Sequence, residues 1–153
     1  MTFANASAFP QDPTTPTDVD QTITQPWWPE IKTRDAREIV RISGTVTQER
    51  LVEALQNAIW SVNQELAEWS QSRRAANPSE ETLTDDRLVG LYRRAVYHYA
   101  KAELIERYRD FDMTNAGSSR DEDKIDGADD ARRNLRWAIS DILGRSRVTV
   151  EAL

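Results

Sequence analysis

TQERLVEALQNAIWSVNQELAEW, residues Thr47 to Trp69, decides the fold. Leu51, Leu55, Ile59, Val62, Leu66 and Trp69 recur at steps of four, four, three, four and three. Steps of that size put all of these side chains on one face of a helix. Thr47 has the right side chain to cap the helix, and Glu49 sits in the first turn, where the helix dipole favours an anion. The stripe fades at Arg73-Arg74-Ala75-Ala76, and Asn77-Pro78 stops the helix.

The same pattern extends in both directions. Upstream, Thr33 to Ile42 reads as a short helix, with Thr33 as N-cap and Ile39, Val40 and Ile42 on its apolar side. Ser43-Gly44 ends it. Downstream, Asp85 to Phe111 reads as a third, long helix with Leu88, Leu91, Ala95, Tyr99, Ala102 and Ile105 in its stripe. Gly90 is tolerated inside it at about 1 kcal/mol against alanine. A fourth helix runs from Asp121 to Leu143, and Gly144 fits its C-terminal cap. The fold expected is all-α: a helical bundle of three long helices and one short helix over residues 27–144. Residues 1–26, rich in proline and threonine, read as a flexible N-terminal arm. Residues 145–153, RSRVTVEAL, alternate at Val148 and Val150 and read as an extended tail or strand.

The bulk properties exclude several functions. The chain has 153 residues and a net charge of −6, with no cysteine. An acidic surface is unsuited to general nucleic-acid binding. Without cysteine there are no disulfides and no thiolate metal sites. No apolar run reaches the ~20 residues of a membrane span. The N-terminus has no basic residue before Lys32 and no apolar core, so it does not read as a secretory signal. The single histidine, His98, has no nucleophile or metal partner in its sequence context. The acidic run Asp121 to Asp130 fails the calcium-loop pattern: Ile125 stands where the fifth position needs oxygen, and Arg132 where the twelfth needs glutamate. It reads as an acidic first turn of a helix. No catalytic, cofactor-binding or metal-binding residue is expected, and no cofactor.

Two features remain for recognition. Trp27 and Trp28 are adjacent, and neighbouring side chains of a helix or strand cannot both face one core. One ring is therefore expected to look for a second surface, the alternative being that both fold back on their own bundle. Arginines cluster at Arg93-Arg94 and Arg132-Arg133, each near acids. They suit either exposed intrachain pairs or charged rims between copies.

The order of segments resembles a known family. WWPEI precedes TRDAREIVRI, then TVTQERLVEAL and SVNQEL. The third helix ends in ERYRDFD, and the fourth carries RRNLRWAISDILG before RSRVTVEAL. The most specific pieces are Glu106-Arg107-Tyr108-Arg109 and Arg136-Trp137-Ala138-Ile139. From Trp27 to Leu153 this is similar to the phage head-completion proteins, the L-type protein of temperate contractile-tailed phages. The resemblance implies a structural, non-enzymatic adaptor. It would bind the portal protein after DNA packaging, replace the terminase, and meet the next neck or tail-completion protein. Its working form would be a ring of roughly twelve copies, following the portal, in the virion head-tail connector, after assembly in the host cytoplasm. Packaged DNA would pass through the ring without being read, and no membrane is involved. Trp27, Trp28, Arg93, Arg94, Arg132 and Arg133 are the expected subunit contacts. Arg145, Arg147, Val148, Val150 and Leu153 are the expected docking residues for the portal, by strand addition. The competing reading is a small helical regulatory or interaction module with no virion role.

Overall fold

A computed structural model describes the backbone of residues 19–112 and 119–147, with side chains over 19–107 and 127–147. Strand β1 (Thr22–Ile23) and strand β2 (Ile31–Lys32) form a two-stranded antiparallel patch, Thr22 opposite Lys32 and Ile23 opposite Ile31. Helix α1 (Thr33–Ile39) follows directly. Then come α2 (Gln48–Glu65), α3 (Ala67–Ala76), α4 (Asp86–Asp112) and α5 (Ser119–Ile142). Helices dominate, as the apolar stripes predict.

Helix α4 is the axis of the molecule. It packs against α5 and against α2, which scarcely touch one another. Tyr92, Tyr99 and Glu103 reach α2 through Asn63, Ser61 and Asn57. Arg93 reaches the carbonyl of Glu30 beside β2. Arg94 and Glu106 reach Asn134 and Arg132 of α5. A helix covered on three sides cannot keep a single stripe. Accordingly Tyr92, Ala95, Val96, Tyr97 and Ala100 are all buried, while Leu91, Tyr99 and Ile105 of the expected stripe are partly exposed.

The helix expected over residues 47–76 is two helices, with the break at Leu66 (φ −95°, ψ 8°). The amide of Leu66 still bonds to Val62 O at 3.0 Å, and Ser70 N bonds to Leu66 O at 2.8 Å. Leu66 remains fully buried, so the apolar rhythm runs through the break. At its far end, Arg73 holds Glu80 by two bonds of 3.0 and 2.9 Å and ties α3 to the following loop.

The short helix also differs at both ends. It stops at Ile39, three residues early, because Arg41 turns into the left-handed region (φ 52°), and Ile39 is exposed. Thr33 does not cap it. The residue in the cap position, Lys32, has no side chain for the task, and Asp20 supplies the oxygen from a distance. Asp20 Oδ1 accepts from Arg34 N at 3.1 Å and from the Thr33 hydroxyl at 3.3 Å. Thr33 is buried and accepts in turn from Gln21 N and Gln48 Nε2, both at 2.9 Å. Residues 20–25 are therefore bonded into the helical body, although they lie inside the stretch whose composition reads as arm. Residues 1–18 of that arm, and residues 148–153 of the tail, lie outside the described residues.

Thr47 caps α2 as expected, its Oγ1 accepting from Arg50 N. At the end of α5, Gly144 takes φ 66°, Gly144 N bonds to Asp141 O, and Arg145 N bonds to Ser140 O. That is the paired closing pattern of a helix ended by glycine.

Candidate assembly surface

The two tryptophans share one face after all. Trp27 has φ 65°, and Trp28 N donates to Pro26 O at 2.8 Å across it. This closes a γ-turn around a bulky residue with positive φ, a rare and strained conformation costing on the order of 1–3 kcal/mol. The turn breaks the alternation that would send neighbouring side chains apart. Trp27 is buried, at 7% exposure, with Trp28 edge-on at 4.9 Å and Trp69 at 6.2 Å. Trp28 stacks on Tyr92 at 4.7 Å and on Trp69 at 6.3 Å. Arg74 lies over Trp27 and Arg73 over Trp69. The Trp27 carbonyl accepts from Leu83 N at 2.8 Å, which fixes the turn to the loop before α4.

Polar groups close the knot from the other side. Gln25 Nε2 donates to the Tyr92 hydroxyl at 2.7 Å, and that hydroxyl donates to Asn63 Oδ1 at 2.7 Å. Asn63 Nδ2 returns to Gln25 Oε1 at 2.6 Å. Three side chains from the arm, α2 and α4 thus bond in a closed ring. Burial drives the Tyr92 phenol well above its ordinary pKa, so it stays a donor. Both indoles pack on their own chain, so the alternation that would send one of them to a second surface does not hold at this turn. Any contact by the pair with another copy is left to the uncovered part of Trp28.

The arginines proposed for subunit contact are employed within the chain as well. Arg93 bonds to Glu30 O at 3.2 Å and Arg94 to Asn134 Oδ1 at 2.7 Å. Arg132 grips Glu106 at 3.2 and 2.7 Å and lies over Tyr99. Arg133 pairs with Asp130 at 2.7 Å. Three of the four join separate elements rather than forming pairs along one helix. Exposed pairs of this kind contribute at most about 1 kcal/mol each, so they register the helices more than they stabilise them.

At the C-terminal end, Trp137 lies between two guanidinium groups, Arg133 at 5.2 Å and Arg147 at 5.3 Å. Arg147 also forms a two-bond pair with Asp141, and the Arg147 guanidinium holds the Asp141 carboxyl below its usual range. Arg147, expected to meet a partner's carboxylate, already has one from the last turn of α5. Arg145 is exposed. Val148, Val150 and Leu153 lie outside the described residues.

The exposed tryptophan is another one. Trp60 is 65% exposed on α2. It borders a groove of ≈ 420 Å³ with Ile23, Gln25, Ile59, Gln64 and Ala67. A second trench of ≈ 310 Å³ continues past Gln56 to Val52 and Gln48. The signal for Trp60 was present in the sequence. It falls nine positions after Leu51, about two and a half turns, on the side of the helix opposite the stripe. A large aromatic side chain there cannot serve its own core.

No catalytic arrangement accompanies these surfaces among the described residues. Burial, then Arg94 and Lys101, depress the His98 imidazole to about 4. No group of three or more His, Cys, Asp or Glu is placed to hold a metal among the described residues. None of the described helices is long and apolar enough to cross a membrane.

Comparison with known proteins agrees with the order of motifs. The sequence pattern of the phage head completion protein (GPL) family matches residues 23–153. The head completion/stabilization protein of Escherichia phage P2 is 33% identical over 135 residues, covering 83% of this chain and 79% of the relative. No solved structure matches. The match begins inside β1 and runs through the tryptophan knot, the arginine pairs and the tail, and on that coverage the chain belongs to the phage head completion protein family.

Proposed function

We propose that this protein is a structural part added to the portal vertex of a phage head after DNA packaging, forming a ring in the head-tail connector. The observation that carries this reading is the family match over residues 23–153, together with a relative described by head completion and stabilization. A protein that completes a filled head acts where DNA entered, and the opening there is the portal. The helical body suits such a part: a rigid bundle, tied across its helices by charged pairs, carrying recognition groups at its ends and outer faces. The competing regulatory module draws no support from the family.

Docking to the portal is assigned to Arg145, Arg147, Val148, Val150 and Leu153. Main-chain bonds of the alternating tail give affinity, and the arginines pair with carboxylates of the portal. Asp141 competes for Arg147, so docking exchanges one carboxylate for another at little net cost.

The test removes residues 146–153 and measures capture by purified portal rings alongside circular dichroism. A folded protein that no longer binds the portal is the expected result. Normal portal binding by the truncated protein would remove the tail from this role. At the level of the virion, disrupting the gene should leave DNA-filled heads that accept no tails. Tailed, infectious particles without the protein would overturn the assignment.

A further inference from the structure

The groove beside Trp60 is one end of a longer trench, and the chain enters at the other end. The carbonyl of Val19 accepts from Gln48 Nε2 at 3.1 Å, at the start of α2. From there the chain follows α2 as far as Gln25, which bonds to Asn63. Gln21, Gln48, Glu49 and Val52 line the near part of the trench, and Ile23, Ile59 and Trp60 the far part. Gln56 lines both parts. Among the described residues only Val19, Ile39 and Trp60 are exposed large apolar side chains. Val19 and Trp60 mark the two ends of this one trench.

The eighteen residues ahead of Val19 lie outside the described residues, and their sequence suits the trench. Pro10, Pro13 and Pro16 stand three apart. Three residues make one turn of a polyproline helix, so these rings share one side of it. From Gln48 to Trp60, α2 rises about 18 Å at ~1.5 Å per residue. A polyproline helix covers that length in about six residues at ~3.1 Å each. With a turn at Thr17-Asp18, Pro16 falls beside Gln48, and Pro10 falls beside Trp60 with Phe9 just beyond. Charge agrees with this register. The stretch from Pro13 to Thr17 is uncharged and passes Glu49 and Glu53, the latter paired with Arg107. Asp12 comes after both carboxylates, next to the side-chain amide of Gln56.

We propose that residues 9–16 dock as a polyproline helix in the trench along α2 of their own chain, with Phe9 and Pro10 against Trp60. Proline-rich segments bind aromatic-lined grooves in this way, because a preformed helix loses little entropy on docking. Its backbone makes no internal hydrogen bonds, so its carbonyls can accept from Gln56 and Gln64 as that of Val19 accepts from Gln48. Attachment at Val19 selects the chain's own trench over that of another copy. A short tether supplies an effective concentration on the order of millimolar. The trench is separate from the tail assigned to the portal, so either assignment stands without the other.

The absence of cysteine in the chain allows a clean test. A nitroxide label is attached to Ala8→Cys in the full chain, and nitrogen-15 spectra record which amides it broadens. The amides of Trp60 and Gln64 and the Trp60 indole N–H should broaden, while Ala138 and Ile142 on α5 stay sharp. Trp60→Ala should cut the broadening at Gln64 about tenfold or more, as for an aromatic at the centre of an interface. Pro10→Ser with Pro13→Ser should act in the same direction and leaves α2 untouched. Circular dichroism should stay unchanged in each variant, since Trp60 serves no core. A labelled chain without nitrogen-15, mixed with an unlabelled nitrogen-15 chain, should broaden nothing. Broadening in that mixture would give the trench to a second copy and overturn the proposal. Sharp signals at Trp60 and Gln64 in the labelled chain, or broadening that survives both sets of substitutions, would overturn it too.

Discussion

Trp27 shows how one residue can defeat a sound rule. Neighbouring side chains diverge in helices and strands, yet the γ-turn at φ 65° points both indoles at Trp69 and Tyr92. No glycine marks the turn, so composition gave no warning. The strain makes a specific prediction. Trp27→Ala should lose about 3–5 kcal/mol for the buried ring. Trp27→Gly should be less harmful than Trp27→Ala by about 1 kcal/mol, because glycine accepts positive φ. Urea denaturation checks the order, and alanine proving the better substitute would remove the strain argument. His98 gives a second expectation. Unfolded, it takes up a proton near its ordinary value of 6.5; folded, it resists until about 4. In that window the unfolded chain binds more protons, so stability is full above 6.5 and falls as pH drops toward 4. His98→Gln should flatten that part of the stability-pH curve. An unchanged slope would mean the imidazole is open to water.

Elements were legible where one face carries the core. The stripe from Leu51 to Trp69 located α2 and α3, and the cap at Thr47 fixed their start. The break at Leu66 was invisible because Leu66 is itself a core residue, fully buried. The strand pair was invisible because two residues on each side carry no period, and its anchor, Thr33, is a single polar group. The α1 cap was missed because its oxygen comes from Asp20, fourteen positions before Arg34. Asp20→Ala should therefore cost about 1 kcal/mol, the usual loss for a cap, although it lies far from the helix in sequence. Gly90 sits exposed within α4, with nothing within 4 Å of an added Cβ. Gly90→Ala should stabilise the protein by roughly 0.4–1 kcal/mol, read as a higher melting temperature. A lower melting temperature would show that the added methyl is not free of its surroundings in the folded chain.

The whole molecule is organised around α4, and that was only half readable. The apolar residues of α4 were found, but a helix covered on three sides gives no single stripe to follow. The candidate surface was less legible still. Arg93, Arg94 and Arg132 stand out in the sequence as clustered cations, but their bonds to Glu30, Asn134 and Glu106 join segments far apart in the chain, and sequence alone does not give those distances. Trp60 is legible as an outward residue from its place opposite the stripe.

The bond from Leu83 N to Trp27 O joins residues far apart in the chain across the γ-turn. Its consequence lies in time rather than in space. That amide is shielded only while the turn is closed, so its hydrogen exchange counts how often the N-terminal latch opens. If the latch opens as a unit, Leu83 and the strand amide of Ile23 should exchange with the same free energy, below that of the α4 interior. Loss of the side chain in Gln25→Ala should speed both together. Should Leu83 instead exchange with the slowest amides of α4, the latch and the bundle melt as one, and the turn is part of the bundle's cooperative unit.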